Sequence, residues 1–290
     1  MKVLYGTDGD RPATHALSLL ERTAAPGKTQ VTVVTVESGV PEVNHDEMLG
    51  VGSPDAILRS AEERLEARGF EVDGKVLQGR PGAAILEEID EVGYEVTVVG
   101  AGNRSRLGRL LLGSVSTKVL HASPTSVLVV HRIAERTEPS RVLFGTDGSA
   151  DADVALAQIT GFFDPPSCQI KVLAVAEHLM PKVSFPIPRL AYATAAPTPE
   201  QEGEWIAAAL EPAEQAAEKL RSAGFRAEAQ AVLGAPAQRL LADADNTQAD
   251  IVVVGSRGLG AIERATIGSV SDQVVREAPA TLVARSPSTA

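Results

Sequence analysis

Two short stretches of this chain carry residue types suited to holding a phosphorylated ligand. The first begins at Gly255-Ser256-Arg257-Gly258 and runs to Gly268-Ser269-Val270-Ser271, a Gly-x2-Gly-x9-Gly-Ser-x-Ser spacing. Glycines at such positions let the backbone approach a ligand with no Cβ in the way. If Gly268 to Ser271 open a helix, its first N–H groups are unpaired and its end carries positive partial charge, so phosphates dock there. Ser269 or Ser271 would then cap that helix or bond a phosphate oxygen. Ordinary caps and turns use the same residues, so both readings stand. The second stretch is Gly145-Thr146-Asp147-Gly148, which follows an apolar run. Asp147 either faces a ligand or caps the next helix.

Both stretches occur twice. Gly6-Thr7-Asp8-Gly9 precedes its counterpart by 139 residues, and Gly113-Ser114-Val115-Ser116 precedes Gly268 to Ser271 by 155, so the second copy carries 16 extra residues. The first-copy loop reads Gly100-Ala101-Gly102-Asn103. Asn103 stands where the second copy has Gly258. Asn tolerates positive φ, so the turn survives, but its side chain crowds a phosphate or ribose. Arg104 and Arg106 add positive charge there. Arg109 and Arg264 each stand four residues before the third glycine. They reach a phosphate or remain solvated surface arginines.

The elements that must position these residues alternate regularly. Near-continuous apolar runs predict strands near 2–6, 31–36, 71–77, 95–100 and 126–130, and again near 141–145, 169–175, 227–233, 250–255 and 281–284. Such runs mark strands covered on both faces. Amphipathic stretches predict helices near 11–23, 54–68, 82–91 and 114–121, then 150–161, 203–222, 236–243 and 269–277. The expectation is α/β: two tandem doubly wound domains, 1–134 and 140–290, each with a five-stranded parallel sheet in order 3-2-1-4-5 and helices on both faces. That order sets strand one beside strand four, so Asp8 faces the Gly100 loop and Asp147 the Gly255 loop. The linker is short, and the Pro-rich segment 177–202 predicts an extended, mobile loop, either a lid or an insertion without a role.

The loop, its strand context and the doubled Gly-Thr-Asp together resemble the nucleotide-binding type of the universal stress protein family, over essentially the whole chain, twice. The resemblance implies ATP as the ligand, held by Gly145, Thr146, Asp147, Gly255, Arg257, Gly258, Arg264, Gly268, Ser269, Val270 and Ser271. In the first copy the matching positions are Gly6, Thr7, Asp8, Gly100, Asn103, Arg109, Gly113, Ser114, Val115 and Ser116. It also implies that Val36 and Val175 pack on the adenine, and that Asp8 and Asp147 lie by the adenosine and phosphates and help hold Mg²⁺. The fifth strand forms the dimer seam in that family. The apolar edge strands near 126–130 and 281–284 would then pair the two copies as a pseudo-dimer within one chain, with a homodimer also open. The expected role is an ATP-binding module regulating a stress response. The alternatives are a slow ATPase or autophosphorylating enzyme, with Ser269 and Ser271 first in line, and a nucleotide-free scaffold.

Other classes fit less well. The net charge is −11 with no long basic run, which disfavours nucleic acid. No apolar run approaches the roughly 18–20 residues that span a membrane. Cys168 is the single cysteine, so no intrachain disulfide forms, and the start is too short before Asp8 for a signal sequence; a cytoplasmic location is expected. The five histidines lack metal-ligand spacing, and Cys168 and Trp205 have no motif around them. There is no Walker motif, and no nucleophile or general base poised for fast phosphoryl transfer stands out, which favours binding over catalysis.

Overall fold

A computed structural model of the chain describes residues 1–37, 53–102, 112–134, 139–177, 197–258 and 267–286. Asn103, Arg104, Arg106, Arg109, Arg264 and most of the 177–202 segment lie outside the described residues. The first half runs β1 (Lys2–Gly6), α1 (Arg11–Thr23), β2 (Gln30–Glu37), α2 (Pro54–Glu66), β3 (Glu71–Gln78), α3 (Pro81–Val92), β4 (Val96–Gly100), α4 (Ser114–Ala122) and β5 (Ser126–Val130). The second runs β6 (Ser140–Thr146), α5 (Ala150–Phe162), β7 (Cys168–Ala176), α6 (Pro199–Ser222), β8 (Arg226–Leu233), α7 (Pro236–Thr247), β9 (Ile251–Gly255), α8 (Ser269–Glu277) and β10 (Ala280–Ala284).

Each half has the expected strand order, and the halves are joined into a single ten-stranded sheet, β3-β2-β1-β4-β5-β10-β9-β6-β7-β8. All the strand pairs are parallel except β5 with β10, which run antiparallel with Leu128 opposite Leu282 and Val130 opposite Ala280. Both of these strands are buried along their whole length. Helices cover both faces. On one face α1, α2, α5 and α6 pack Leu20, Leu65, Ile159 and Leu220 against Val3, Val31, Phe144 and Ile170. On the other, α3, α4, α7 and α8 pack Ile89, Leu120, Leu240 and Val274 against Leu4, Val129, Leu143 and Val283. Each core layer crosses the seam without a break. With few aromatics in the chain, Val, Ala and Leu fill most of it.

The halves also clasp each other outside the ladder. His131 Nε2 donates to Val275 O at the end of α8 (2.7 Å), and Arg285 donates to Leu120 O at the end of α4 (2.6 Å). The two carbonyls occupy equivalent positions of the repeat. Beneath α1 and α5, the Ala25 N–H bonds Phe162 O at 3.0 Å, and the Arg22 guanidinium lies 3.3 Å from the buried Asp250 carboxylate.

One boundary departs from the sequence reading. The helix expected at 203–222 begins at Pro199, so the end of the supposed loop is helix. Thr198 accepts from the Gln201 N–H while the Gln201 side chain accepts from the Thr198 N–H, a capping box with Pro at the first helical position. Pro199 therefore starts a helix rather than extending a loop. Pro212, inside the same helix, packs over Gly148. Short 3-10 turns at Pro26–Lys28 and Pro165–Ser167 were not foreseen.

Cys168 is 1% exposed at the start of β7. Burial, with Asp164 nearby, pushes its thiol up to about 12. The thiolate is the reactive form. Cys168 is thus expected to resist a thiol reagent in native buffer and to react fully in urea; rapid native labelling would show that this region opens.

Candidate functional site

The described ones among the predicted residues lie at or just beyond the carboxyl ends of β6, β7 and β9, and of β1, β2 and β4. After β6, the Thr146 hydroxyl accepts from the Gly148 N–H (3.2 Å), and Asp147 Oδ1 accepts from the Ser149 N–H (3.0 Å). Gly148 has φ +71°, which permits this tight turn. The cap of α5 falls to Ser149, which accepts from the Ala152 N–H. Asp147 is therefore not the helix cap, and it stands exposed at the mouth. The first half repeats the device: Thr7 accepts from Gly9, Asp8 from Asp10, and Asp10 caps α1 through the Ala13 N–H.

The loop after β9 closes against this turn. A Cβ on Gly258 would lie 2.7 Å from Asp147 Oδ2, so a side chain there would make that carboxylate move. A Cβ on Gly268 would lie 3.2 Å from Ser256 O and 3.4 Å from Arg257 Cα. The Asp147 turn, the start of the glycine loop and the start of α8 thus meet in one place. Gly268 is the residue before α8, and no side chain caps the helix. Helix α4 likewise begins after Gly113 without a side-chain cap. As at any helix start, the first-turn N–H groups of both helices have no partner within the helix itself.

Several predicted residues also have contacts within the fold. A Cβ on Gly255 would meet the Asp151 backbone at 2.9 Å, and one on Gly100 would meet Ala13 N at 2.6 Å. These glycines let α5 and α1 approach the sheet. Gly145 and Gly6 serve α7 and α3 in the same way, with Leu240 at 2.8 Å and Ile85 at 3.3 Å from a built Cβ. Ser271 is buried and donates to Gly255 O at 2.7 Å, and Ser116 donates to Ala101 O at 3.1 Å. Neither caps its helix. Ser269 and Ser114 are the exposed serines at the two helix starts. Val36, Val175, Val115 and Val270 are half-buried against the second core layer.

Arg257 is drawn toward α5, its Nε 3.3 Å from Asp151 Oδ2, and the Ser256 hydroxyl donates to the same oxygen at 2.8 Å. Asp151 was missed in the sequence; the only signal was an acidic residue in the first turn of a helix. The two halves diverge here. Gly102, the counterpart of Arg257, has φ +88°, and its Cβ would lie 2.7 Å from Gly113 Cα. Arg257 is not left-handed, so the loops leave their strands along different paths. Among the described residues no group of three or more His, Cys, Asp or Glu forms a metal cluster. The exposed carboxylates at the two turns are Asp8, with Asp10 beside it, and Asp147.

Two outcomes follow from this geometry. Gly255→Ala forces a Cβ into α5 and is expected to cost about 1–3 kcal/mol in urea unfolding. Burial, followed by the neighbouring Asp8 charge, pushes the Asp10 carboxyl up to about 6 from 3.8. A folded-state value above the unfolded one means that the stability it contributes is complete below about pH 3.8 and lost as pH rises through about 6. Asp10→Asn keeps the cap without the charge. Its stability relative to the wild type is therefore expected to rise between pH 4 and pH 7; a constant difference would count against the shift.

Comparison with known proteins agrees with this architecture. The universal stress protein family matches residues 1–131 and again residues 139–284. A universal stress protein of Mycolicibacterium smegmatis is 36% identical over 191 residues, spanning 63% of this chain and 59% of that protein. Universal stress protein Rv2319c of Mycobacterium tuberculosis is 26% identical over 299 residues, spanning 96% of this chain and 97% of the relative. The crystal structure of a universal stress protein from Archaeoglobus fulgidus shares the fold, with a TM-score of 0.65 at 22% identity and 98% of each chain covered. With both halves matched and the doubly wound sheet present in each, this chain belongs to the universal stress protein family and carries two of its domains.

Proposed function

We propose that the second half binds ATP, with Mg²⁺, and that the protein acts as a nucleotide-dependent regulatory module in a stress response. The observation that carries this reading is the uncapped start of α8, which meets the exposed Asp147 turn across Gly258. Phosphates at that point gain the open N–H groups and the positive end of the helix without any large basic surface. The Ser269 hydroxyl stands at the same end. Asp147 is suited to the cation or the ribose, and Val175, at the end of β7, to the face of the adenine. Bound Mg²⁺ would neutralise phosphate charge beside Asp147.

The first half is the weaker candidate. It keeps Asp8 and an uncapped α4, but Gly102 and Gly113 abut, and Asn103 replaces the loop glycine. A regulatory reading also suits the serines: Ser271 and Ser116 spend their protons on backbone carbonyls inside the fold. In the same proposal each half serves as the other's dimer partner through β5 and β10.

Isothermal titration with Mg·ATP tests this directly. The wild type is expected to take up about one nucleotide per chain at the α8 start. Gly258→Val needs no unusual backbone but pushes a side chain onto Asp147, and should weaken uptake at least about tenfold, ~1.4 kcal/mol. No uptake by folded wild-type protein, or equal uptake by the variant, would overturn the reading.

A further inference from the structure

The second half departs from the first where its glycine loop leaves the sheet, and one carboxylate stands at the point of departure. Asp151 is the second residue of α5, where the positive amino end of a helix favours an acidic side chain. The close approach of Gly255 to the Asp151 backbone brings that side chain to the end of β9. One of its oxygens, Oδ2, accepts from the Ser256 hydroxyl at 2.8 Å and lies 3.3 Å from Arg257 Nε. Bonds to a charged acceptor are the stronger kind, and here both charged side chains are largely buried.

Ser256 is 3% exposed, and its polar groups have partners on different elements. Its N–H donates to Ala284 O at the end of β10 (2.8 Å), and its carbonyl accepts from the Gly268 N–H at the start of α8 (2.7 Å). Its hydroxyl goes to α5. The first residue beyond β9 therefore ties β10, α8 and α5 together. The first half keeps only the backbone part of this junction. Ala101 donates to Val130 O at 2.8 Å and accepts from the Gly113 N–H. Ala101 has no hydroxyl, Pro12 stands at the place of Asp151 and offers no side-chain acceptor, and Gly102 replaces Arg257. Gly102 then turns left-handed (φ +88°), which Arg257 does not. With its guanidinium drawn to α5, Arg257 leaves the strand on ordinary backbone, and the next residue, Gly258, arrives against Asp147.

We propose that Asp151 is the positioning residue of the second-half site: by holding Ser256 and Arg257 it sets the path that brings Gly258 against Asp147 and Gly268 against Arg257, and with that path the affinity for the nucleotide. This role rests on ATP binding by the second half, and Asp151 itself makes no contact with the ligand. It also names what the first half lacks, since Pro12, Ala101 and Gly102 cannot build the same junction.

Two measurements on the full chain test this: amide exchange by NMR without nucleotide, and calorimetric titration with Mg·ATP. Asp151→Ala is expected to speed exchange at the Ser256 and Gly268 amides at least about tenfold and to weaken uptake at least about tenfold, as the loss of a hydrogen bond to a charged group would. The Ala101 and Gly113 amides make the same bonds in the first half and should keep their rates; a general loss of stability would speed all four. Asp151→Asn still accepts from Ser256 and should fall between the wild type and Asp151→Ala in both measurements. Ser256→Ala should weaken uptake as well, and combining it with Asp151→Ala should cost less than the two separate losses together, because both remove one bond. Equal or tighter uptake by folded Asp151→Ala would overturn the role of Asp151 and leave the nucleotide reading standing. So would exchange that is unchanged, or that rises equally in both halves. If the wild type takes up no Mg·ATP, the nucleotide reading falls and the effect on affinity falls with it; exchange at Ser256 and Gly268 then still decides whether Asp151 holds the loop.

Discussion

The antiparallel contact between β5 and β10 is the constraint on which the rest of the molecule depends. Each half alone would be a five-stranded sheet ending in an apolar edge, and such an edge invites unwanted pairing. Joined, the two edges vanish into the middle of a ten-stranded sheet, and the exposed edges become β3 and β8, which alternate charged and small residues. The join also fixes where the sites lie. Because β5 and β10 run in opposite directions, the carboxyl ends of the first half and those of the second point to opposite edges of the sheet. The Asp8 and Asp147 turns therefore cannot share a ligand.

The glycines of the repeat divide into two kinds with different physical reasons. Gly6, Gly100, Gly145 and Gly255 sit at strand ends and give up their side chains so that a helix can pack close. Gly258 gives up its side chain so that Asp147 can remain where it is. A sequence pattern does not separate the two, because both look like glycines in a glycine-rich loop. The distinction matters for function, since only the second kind bears on what the crevice can hold.

Much of the fold was legible because its signals are local. Runs such as Val-Thr-Val-Val-Gly and Ile-Val-Val-Val-Gly read as covered strands, and Gly69 (φ +87°) and Gly224 (φ +96°) stand just past the ends of α2 and α6. The start of α6 was legible too, in Thr198 and Gln201, but the neighbouring prolines drew the reading toward a loop. What stayed hidden depends on where side chains point. Ser271 reads as a phosphate ligand until its hydroxyl is seen to be spent on Gly255 O. Asp151 had no motif to announce that it would gather Ser256 and Arg257.

His131 and Arg285 make matching reaches across the seam, each closing the last helix of the opposite half. In two separate chains such a closure would come apart on dilution. Here the partners are tethered by the few residues between β5 and β6, which sets an effective concentration on the order of millimolar whatever the amount of protein. The seam is thus an intramolecular equilibrium, insensitive to expression level, and each half could drift in sequence, as their loops have, without losing the neighbour that completes its sheet.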